Sequence, residues 1–307
     1  MSSAKVSFWQ DLVWRLQAFF YVLVTGLIGL MPVSTASAIG GFLTRKLGPL
    51  TGSQKTVVRN FKIAFPDMDP ATRARLIDRQ WENLGRLAFE FPHMAKFQPR
   101  FGRVEIVNGE RLEAIRTSGK PAVFVSGHFA NWEVMPCVIA SAGIDCEMTY
   151  RAPNNPYIDA IWIRTRAAYG TKLFAPKGQE GSRELLNGLK AGRSVALMND
   201  QKFNEGLALP FMGAPAHTAA GPTRLALRYG ADLQPMTVVR LPGARFRVVV
   251  HDPIELEHTG SRQHDLEAGV AKINAFVEAQ VRAYPDQWFW VHKRWSNEAY
   301  AALDRKA

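Results

Sequence analysis

The chain alternates between short apolar runs and longer stretches whose apolar residues recur at helical spacing. An apolar, β-branched run at 122–125 is typical of a short buried strand. Residues 71–91 carry Leu76, Trp81 and Leu87 at helical spacing, with basic residues between them, which predicts a packed amphipathic helix. Strands that alternate with helices predict an α/β fold with a mixed, mostly parallel sheet flanked by helices.

The same patterns give a set of predicted elements along most of the chain. Strands are predicted at residues 104–107, 122–125, 146–150, 172–174, 194–198, 233–239 and 246–250. Helices are predicted at residues 54–65, 71–91, 109–118, 131–142, 156–169, 183–189, 218–229 and 265–284. Because no internal repeat or low-complexity linker interrupts this alternation, we expect one large domain, residues 46–307, behind an N-terminal segment, residues 1–45.

The N-terminal segment is uncharged from Leu16 to Thr44 and almost wholly apolar from Ala18 to Met31. Three interpretations compete. A spanning helix needs about 20 apolar residues. A signal peptide fits the small residues at 36–38 as a cleavage site. An anchor lying in the interface fits the aromatic residues near the start. We favour an uncleaved membrane anchor helix, either spanning or monotopic.

The charge and the cysteine content restrict where the protein can be located and which partners it can bind. The 307 residues carry a formal net charge of +11, which favours anionic partners such as phosphorylated ligands or an anionic membrane surface. Basic residues after the apolar run outweigh Lys5 and Arg15 before it, so the main domain is expected on the cytoplasmic side. The two cysteines form no disulfide framework, which agrees with a reducing compartment.

The stretch that follows the strand at 122–125 carries the strongest candidate chemistry. Ser126 and Gly127 turn the backbone, His128 lies in the turn, and Asn131 is a plausible N-cap for the next helix. Glu133, five residues after His128, could curl back onto one ring nitrogen and fix the tautomer. The other nitrogen could then take a proton from an attacking hydroxyl. The alternative is a chance pairing of the two residue types, since such a short pattern is weak by itself.

Other polar residues follow neighbouring strands in the sequence, where ligands gather in open α/β sheets. Arg151 follows the strand at 146–150 and leads into a helix bearing Arg166, and Asp200 follows the strand at 194–198. Arg166 is either a phosphate-binding group or a solvated arginine. Asp200 either belongs to the site or holds an arginine structurally. We take Arg151, Arg166, Asp200 and Asn131 as candidate substrate-binding residues.

Several catalytic motifs are absent from the sequence. It contains no G-x-S-x-G nucleophile elbow in a strand-to-helix turn, no P-loop, no G-x-G-x-x-G and no H-E-x-x-H. The histidines are scattered and the cysteines lack metal-ligand spacing, so we expect no metal and no cofactor. Without a nucleophile beside His128, direct transfer to a second substrate fits better than a covalent acyl-enzyme.

Ser126-Gly-His-Phe-Ala-Asn-Trp-Glu133 resembles the central motif of the lipid A late acyltransferases, the lauroyl and myristoyl transferase family of the lysophospholipid acyltransferase superfamily. Further stretches resemble this family in order and spacing, at residues 54–66, 81–85, 150–156, 199–206, 211–231 and 285–295. The resemblance implies a glycerol-phosphate-acyltransferase-like fold, an inner-membrane anchor and a site facing the cytoplasm. By position, His128 resembles the general base, Glu133 its partner, and Arg166 and Asp200 the supporting polar residues.

The resemblance also implies acyl transfer from an acyl-carrier-protein thioester to a hydroxyl of a glycolipid, the lipid A precursor, which forms an acyloxyacyl ester. Members of the family acylate other membrane lipids as well, so another glycolipid or phospholipid acceptor stays open. The alternative from a different class is a non-catalytic membrane protein that binds anionic lipid. Nucleic acid is not expected as a partner, since the basic residues are dispersed and no nucleic-acid motif is present.

Overall fold

The computed structural model describes residues 6–171, 173–176 and 179–305. Its helices are α1 Phe8–Leu30, α2 Val33–Leu47, α3 Ser53–Ala64, α4 Pro70–Glu90, α5 Glu110–Ser118, α6 Val134–Ser141, α7 Pro156–Ala167, α8 Gln179–Lys190, α9 Gly221–Tyr229, α10 Arg262–Ala283 and α11 Asn297–Arg305. Its strands are β1 Val104–Val107, β2 Ala122–Ser126, β3 Cys146–Tyr150, β4 Leu173–Pro176, β5 Ser194–Met198, β6 Leu207–Phe211, β7 Ala214–Thr218, β8 Asp232–Leu241 and β9 Arg245–Val250. Short 3-10 helices lie at Gly48–Leu50, Phe91–Phe97 and Pro99–Phe101.

Seven of these strands form one sheet in the order β1-β9-β8-β2-β5-β3-β4, and β6 pairs with β7 in a separate hairpin. All neighbours in the large sheet are parallel except β8 and β9. The chain leaves β2 through α6 and α7 toward the β4 edge, and then returns through α8 and α9. Because parallel crossovers are almost always right-handed, the outgoing and returning helices cover opposite faces. The expected mixed, mostly parallel sheet flanked by helices is confirmed.

Strand β2 lies in the middle of this sheet, between β8 and β5, and all five of its residues are buried. Its register with β5 pairs Ser126 with Met198, the last residue of each strand. Whatever follows these two strands therefore emerges side by side at the carboxyl edge of the sheet. This register positions the site described below.

Most predicted elements are present, with shifts at their ends. The helix predicted from residue 131 begins only at Val134, so Asn131 is not its N-cap, and α6 has no side-chain cap. The helix predicted from 218 begins at Gly221, because Thr218 ends β7. The β6–β7 hairpin and α11 were not predicted. Lys172, the first residue of one predicted strand, and Lys5 lie outside the described residues.

The N-terminal segment consists of two helices with different surroundings. Helix α1 exposes most of its large apolar side chains, whereas α2 packs closely on α4. A Cβ atom on Gly40 would lie 2.5 Å from the Gly85 carbonyl oxygen, so only glycine allows the two backbones to approach this closely. The division into an anchor and a main domain stays a proposal, and this packing moves its proposed boundary from residue 45 to near Pro32.

Candidate active site

The turn between β2 and α6, residues 127–133, is called here the histidine turn. A Cβ atom on Gly127 would lie 2.6 Å from the Phe129 ring and 3.2 Å from Asp200 Oδ2, so a side chain here would crowd the carboxylate. Ala130 has a φ of 46°, in the left-handed region that alanine rarely adopts. Its N–H donates to the Gln287 carbonyl at 2.7 Å. The turn is therefore held in an unusual backbone conformation by contacts from outside it.

The His128 side chain is held by Asp200, which follows the neighbouring strand. His128 Nδ1 lies 2.7 Å from Asp200 Oδ1, and the His128 backbone N–H donates to Asp200 Oδ2 at 2.7 Å. Because an ionised carboxylate only accepts hydrogen bonds, Nδ1 carries the proton and Nε2 presents its lone pair. The His128 side chain is 18% exposed, and Nε2 has no hydrogen-bond partner among the described residues. Such an arrangement would suit proton abstraction by a ring with a fixed tautomer.

The surroundings of Asp200 keep it ionised although its side chain is only 1% exposed. Burial by itself would raise its pKa, but attraction to His128 when the ring is protonated, together with the hydrogen bonds from His128 and Trp288, outweighs burial and lowers the pKa of Asp200 to about 2. Trp288 Nε1 donates to Asp200 Oδ2 at 2.7 Å. Asp200 is therefore a charged acceptor at any physiological pH.

The expected contact between Glu133 and the His128 ring is wrong. Glu133 Oε2 accepts from Arg166 Nε at 3.0 Å, and its Oε1 accepts from Arg166 Nη2 at 2.5 Å. The Tyr169 hydroxyl donates to Oε2 at 2.8 Å. A bidentate guanidinium pairs with a carboxylate better than a single imidazole N–H does, and α7 brings Arg166 within reach. Glu133 thus pairs with α7, and the carboxylate that contacts the imidazole is that of Asp200, which follows β5.

The ion pair between Glu133 and Arg166 also joins the histidine turn to α1. Burial works against the Arg166 charge, but the hydrogen bonds and charge of Glu133 outweigh it and raise the pKa of Arg166. Helix α7 contacts α1 through Trp162, whose Nε1 donates to the Tyr21 hydroxyl at 2.9 Å, and its N-cap Asn155 donates from the side-chain amide to the Trp14 carbonyl at 2.9 Å. The site and α1 are therefore mechanically connected through α7.

The remaining predicted site residues have different positions. Asn131 is fully buried, and its amide donates at 2.9 Å to Glu90, which also pairs with Arg240. Asn131 therefore braces the histidine turn from behind, and its burial leaves no room for a direct substrate contact. Arg151 is exposed, and it follows β3, which is separated from β2 by β5. Arg166, one-tenth exposed, pairs with Glu133, so it is not a solvated arginine, and its role in phosphate binding stays a prediction.

Residues 285–295, called here the aromatic segment, lie against the histidine turn. The Phe289 N–H donates to the His128 carbonyl at 3.0 Å, and the Phe289 ring centroid lies 6.0 Å from that of His128. Trp288 forms a β-bridge with Phe129 in addition to its bond to Asp200. The sequence alone does not predict that this segment contacts the site. Its density of tryptophans, each needing a partner for its N–H when buried, was the available indication of a packed role.

Among the described residues, no group of three or more His, Cys, Asp or Glu side chains could hold a metal ion. Nor does either thiol offer a nucleophile there: both cysteines are buried, and burial raises the pKa of Cys137 and of Cys146. Ser126, next to the turn, directs its hydroxyl to the Gly127 carbonyl and to the Met135 sulfur. What the described site offers is an oriented base.

Comparison with known proteins gives one family and several relatives. The model of a family described as bacterial lipid A biosynthesis acyltransferase matches residues 9–297. A lipid A biosynthesis acyltransferase of Haemophilus influenzae is 22% identical over 296 residues, covering 94% of this chain and 88% of the relative. The lipid A biosynthesis lauroyltransferase of Escherichia coli is 27% identical and covers 78% of each chain. The lipid A biosynthesis palmitoleoyltransferase of Escherichia coli is 26% identical, covering 82% of this chain and 83% of the relative.

A solved structure was also matched: the 1-acyl-sn-glycerophosphate (LPA) acyltransferase, PlsC, from Thermotoga maritima. It is 12% identical with a TM-score of 0.35, and the match covers 74% of this chain and 96% of that one. The fold described above depends on the observed strands and helices and takes nothing from this likeness.

Proposed function

Because the chain belongs to the bacterial lipid A biosynthesis acyltransferase family, and is thus an acyltransferase, we propose that it moves a fatty acyl chain from an acyl-carrier-protein thioester to a hydroxyl of a lipid A precursor. The product is an acyloxyacyl ester. The observation that carries the proposal is the imidazole of His128, partly exposed at the sheet edge, with Nδ1 fixed by Asp200 and Nε2 without a partner among the described residues. This geometry suits the activation of an alcohol.

The proposed reaction is a direct transfer. Nε2 of His128 takes the proton of the acceptor hydroxyl as its oxygen attacks the thioester carbonyl carbon. The tetrahedral intermediate collapses, the C–S bond breaks, and the imidazolium returns the proton to the departing thiolate. Asp200 stabilises the imidazolium formed in between. General-base assistance of this kind contributes roughly 10²–10⁴ in rate.

Direct transfer is supported by the state of the nearby nucleophilic residues. The buried cysteines have raised pKa values, so little thiolate is available for an acyl-enzyme. The Ser126 hydroxyl is occupied by Gly127 and Met135 and makes no bond to the imidazole. The nucleophile is therefore assigned to the incoming alcohol, and the proton acceptor to His128.

We propose an inner-membrane location with the catalytic domain on the cytoplasmic face. Among the described residues, α1 is the one helix long and apolar enough to cross a membrane, at 23 residues. Between α1 and α7 lies an open apolar groove of about 610 Å³, lined by residues such as Leu16, Phe20 and Ile158, which would face lipid hydrocarbon. Arg45 and Lys46 end α2 and are exposed, as expected on the cytoplasmic side of an anchor.

The charge distribution suits both proposed substrates. A net charge of +11 favours approach of an acidic carrier protein and of an acceptor bearing phosphate groups. Arg151, exposed beyond β3, makes no hydrogen bond or ion pair with the described residues and can meet an anionic substrate group. Its substitution should weaken substrate binding without removing the chemistry.

Replacement of His128 by alanine tests the proposal. Acyl transfer from an acyl-carrier-protein donor to the lipid A precursor would be followed by mass spectrometry, with the exposed His258→Ala variant as matched control. We expect His128→Ala to lose roughly 10²–10⁴ in rate and His258→Ala to retain wild-type activity. A fully active His128→Ala variant would contradict the proposed function, as would a wild-type protein that binds lipid but transfers no acyl chain.

A further inference from the structure

Building on the acyl transfer proposed above, we propose that Trp288 is a positioning residue for this reaction, one that acts through Asp200. Its indole N–H fixes the rotation of the carboxylate and so decides which oxygen faces the imidazole. Trp288 does not reach the reacting atoms itself. Its effect is on the orientation and basicity of His128.

The two oxygens of Asp200 have different tasks. Oδ2 accepts both the His128 backbone N–H and Trp288 Nε1, each at 2.7 Å. Oδ1 is thereby left for His128 Nδ1, at 2.7 Å. With one donor on Oδ2 removed, the carboxylate can rotate or shift toward the imidazole, and the single orientation that fixes the tautomer is lost.

The indole of Trp288 is itself held in place by its neighbours. It is 3% exposed, with the Trp290 ring centroid 4.6 Å away in an edge contact and the Phe211 centroid 5.7 Å away. Its backbone is fixed by the bridge to Phe129. Because the ring cannot turn without breaking these contacts, its N–H stays directed at the Asp200 carboxylate.

The same segment supplies matched comparisons for Trp288. Trp290 and Trp295 are also fully buried, and their Nε1 atoms donate to backbone carbonyls, those of Pro285 at 2.6 Å and Phe211 at 2.9 Å. A buried tryptophan needs some acceptor for structural reasons. Of these three tryptophans, only Trp288 gives its hydrogen bond to a charged group, and that group touches the imidazole. This difference separates a positioning role from simple packing.

The pH dependence of the reaction distinguishes the two roles. The charged groups that face Asp200 are His128, in contact, and the buried Arg294, which attracts it without a direct bond and is itself held by the His217 carbonyl and Thr218. Without the indole hydrogen bond, the ionised carboxylate of Asp200 is less stabilised by its surroundings. It therefore attracts the protonated His128 ring more strongly. The His128–Asp200 pair then keeps its proton to higher pH, so the acid limb of the rate profile moves upward.

The test compares Trp288→Phe with Trp295→Phe in the full-length chain, measuring kcat, KM and the pH profile of acyl transfer. We expect Trp288→Phe to lower kcat about 10- to 100-fold, the rate equivalent of one hydrogen bond to a charged group. Its KM should change little, and its acid limb should move up by about half a pH unit or more. Trp295→Phe should leave kcat and the acid limb near their wild-type values. The inference is overturned if the two variants have the same kcat and the same acid limb.

A second substitution removes the indole N–H but keeps its volume. Incorporation of 3-benzothienylalanine at position 288 replaces the N–H by sulfur, so packing is retained even if Trp288→Phe does not fold. We expect the same loss of kcat and the same upward shift, and a wild-type profile overturns the inference. The outcome for His128→Ala keeps the two proposals apart. An active His128→Ala variant removes the proposed function, whereas an inactive one with an unshifted position-288 variant removes only the role of Trp288.

Discussion

The histidine turn carries two acid–base pairs that differ in what they leave available. The pair of His128 with Asp200 joins residues 72 positions apart, and within the part of the chain that the structure describes it leaves the other ring nitrogen without a partner. The pair of Glu133 with Arg166 is bidentate, is reinforced by Tyr169, and engages both carboxylate oxygens. The first pair can take up a proton during a reaction. The second is closed and serves to fix the turn to α7.

This difference shows that nearness in sequence does not decide which acid serves the base. Glu133 is five residues from His128, but the helical start at Val134 lets it face α7. Asp200 reaches the imidazole because Ser126 and Met198, the last residues of β2 and β5, are paired in register. His128 and Asp200 each come two residues after the end of their strand. The comparison between the two pairs gives the following predictions.

The largest effect is expected from Asp200→Asn. An asparagine amide can donate to the imidazole, which favours the wrong tautomer, so kcat should fall roughly 10²–10⁴-fold with little change in KM. The matched control is Asp252→Asn, an aspartate whose side chain is 86% exposed in a surface ion pair with Arg111. A steady-state acyl-transfer assay checks both variants. Equal activity of the two would mean that His128 needs no acid partner.

The pair of Glu133 with Arg166 should behave as a structural ion pair. Glu133→Gln or Arg166→Gln leaves its partner's charge in a site where each side chain is only about one-tenth exposed, and should cost about 3 kcal/mol in free energy of unfolding. The double variant Glu133→Gln, Arg166→Gln removes both charges. Its loss in free energy of unfolding should be no more than about half of the loss in either single variant. Denaturant unfolding in detergent micelles measures all three. Strictly additive losses would show that the two charges do not stabilise each other.

Low pH should weaken the pair of His128 with Asp200 over a defined pH range. The folded-state pKa of Asp200 is about 2, below the ordinary value of 3.8, so its contribution to stability is complete above about pH 4 and is lost as pH falls through 2. The difference in unfolding free energy between wild type and Asp200→Asn should therefore shrink from pH 4 to pH 2. A difference that stays constant over this range would mean that the Asp200 carboxylate is not stabilised by folding.

The smallest effect is expected at the thiols, which belong to neither pair. Cys137 lies one turn beyond Glu133 and donates to its carbonyl, and burial followed by the Glu133 charge raises its pKa. The folded protein should therefore resist maleimide at neutral pH and keep its activity, and labelling should appear only on unfolding. Mass spectrometry of the intact protein checks this. Rapid labelling with loss of activity would reopen a covalent route.

Much of the fold follows from local pattern, and the exceptions have physical causes. The buried runs that became β2, β3 and β5 are apolar and short, so their strand character is visible in the sequence. The β6–β7 hairpin was missed because Pro210 and Pro215, which pair with each other in it, argue against strands. The start of α6 was placed too early because Asn131, a typical capping residue, is instead buried against Glu90.

The sequence predicts individual residues of the site but not which of them pair with each other. His128 and Asp200 were both identified as following predicted strands, but their pairing depends on β5 lying next to β2, which no local pattern reveals. Arg166 was identified without its partner for the same reason. Trp288 comes from 88 residues beyond Asp200, and its role depends entirely on how the aromatic segment returns to the sheet edge.

The central claim is that His128 and Asp200 act as one catalytic unit, and a double-mutant cycle on kcat/KM tests it most directly. If they do, the variant carrying both His128→Ala and Asp200→Asn should be no slower than His128→Ala alone, because Asp200 has no imidazole left to orient. If the two losses multiply instead, Asp200 acts independently of the base and the account is contradicted.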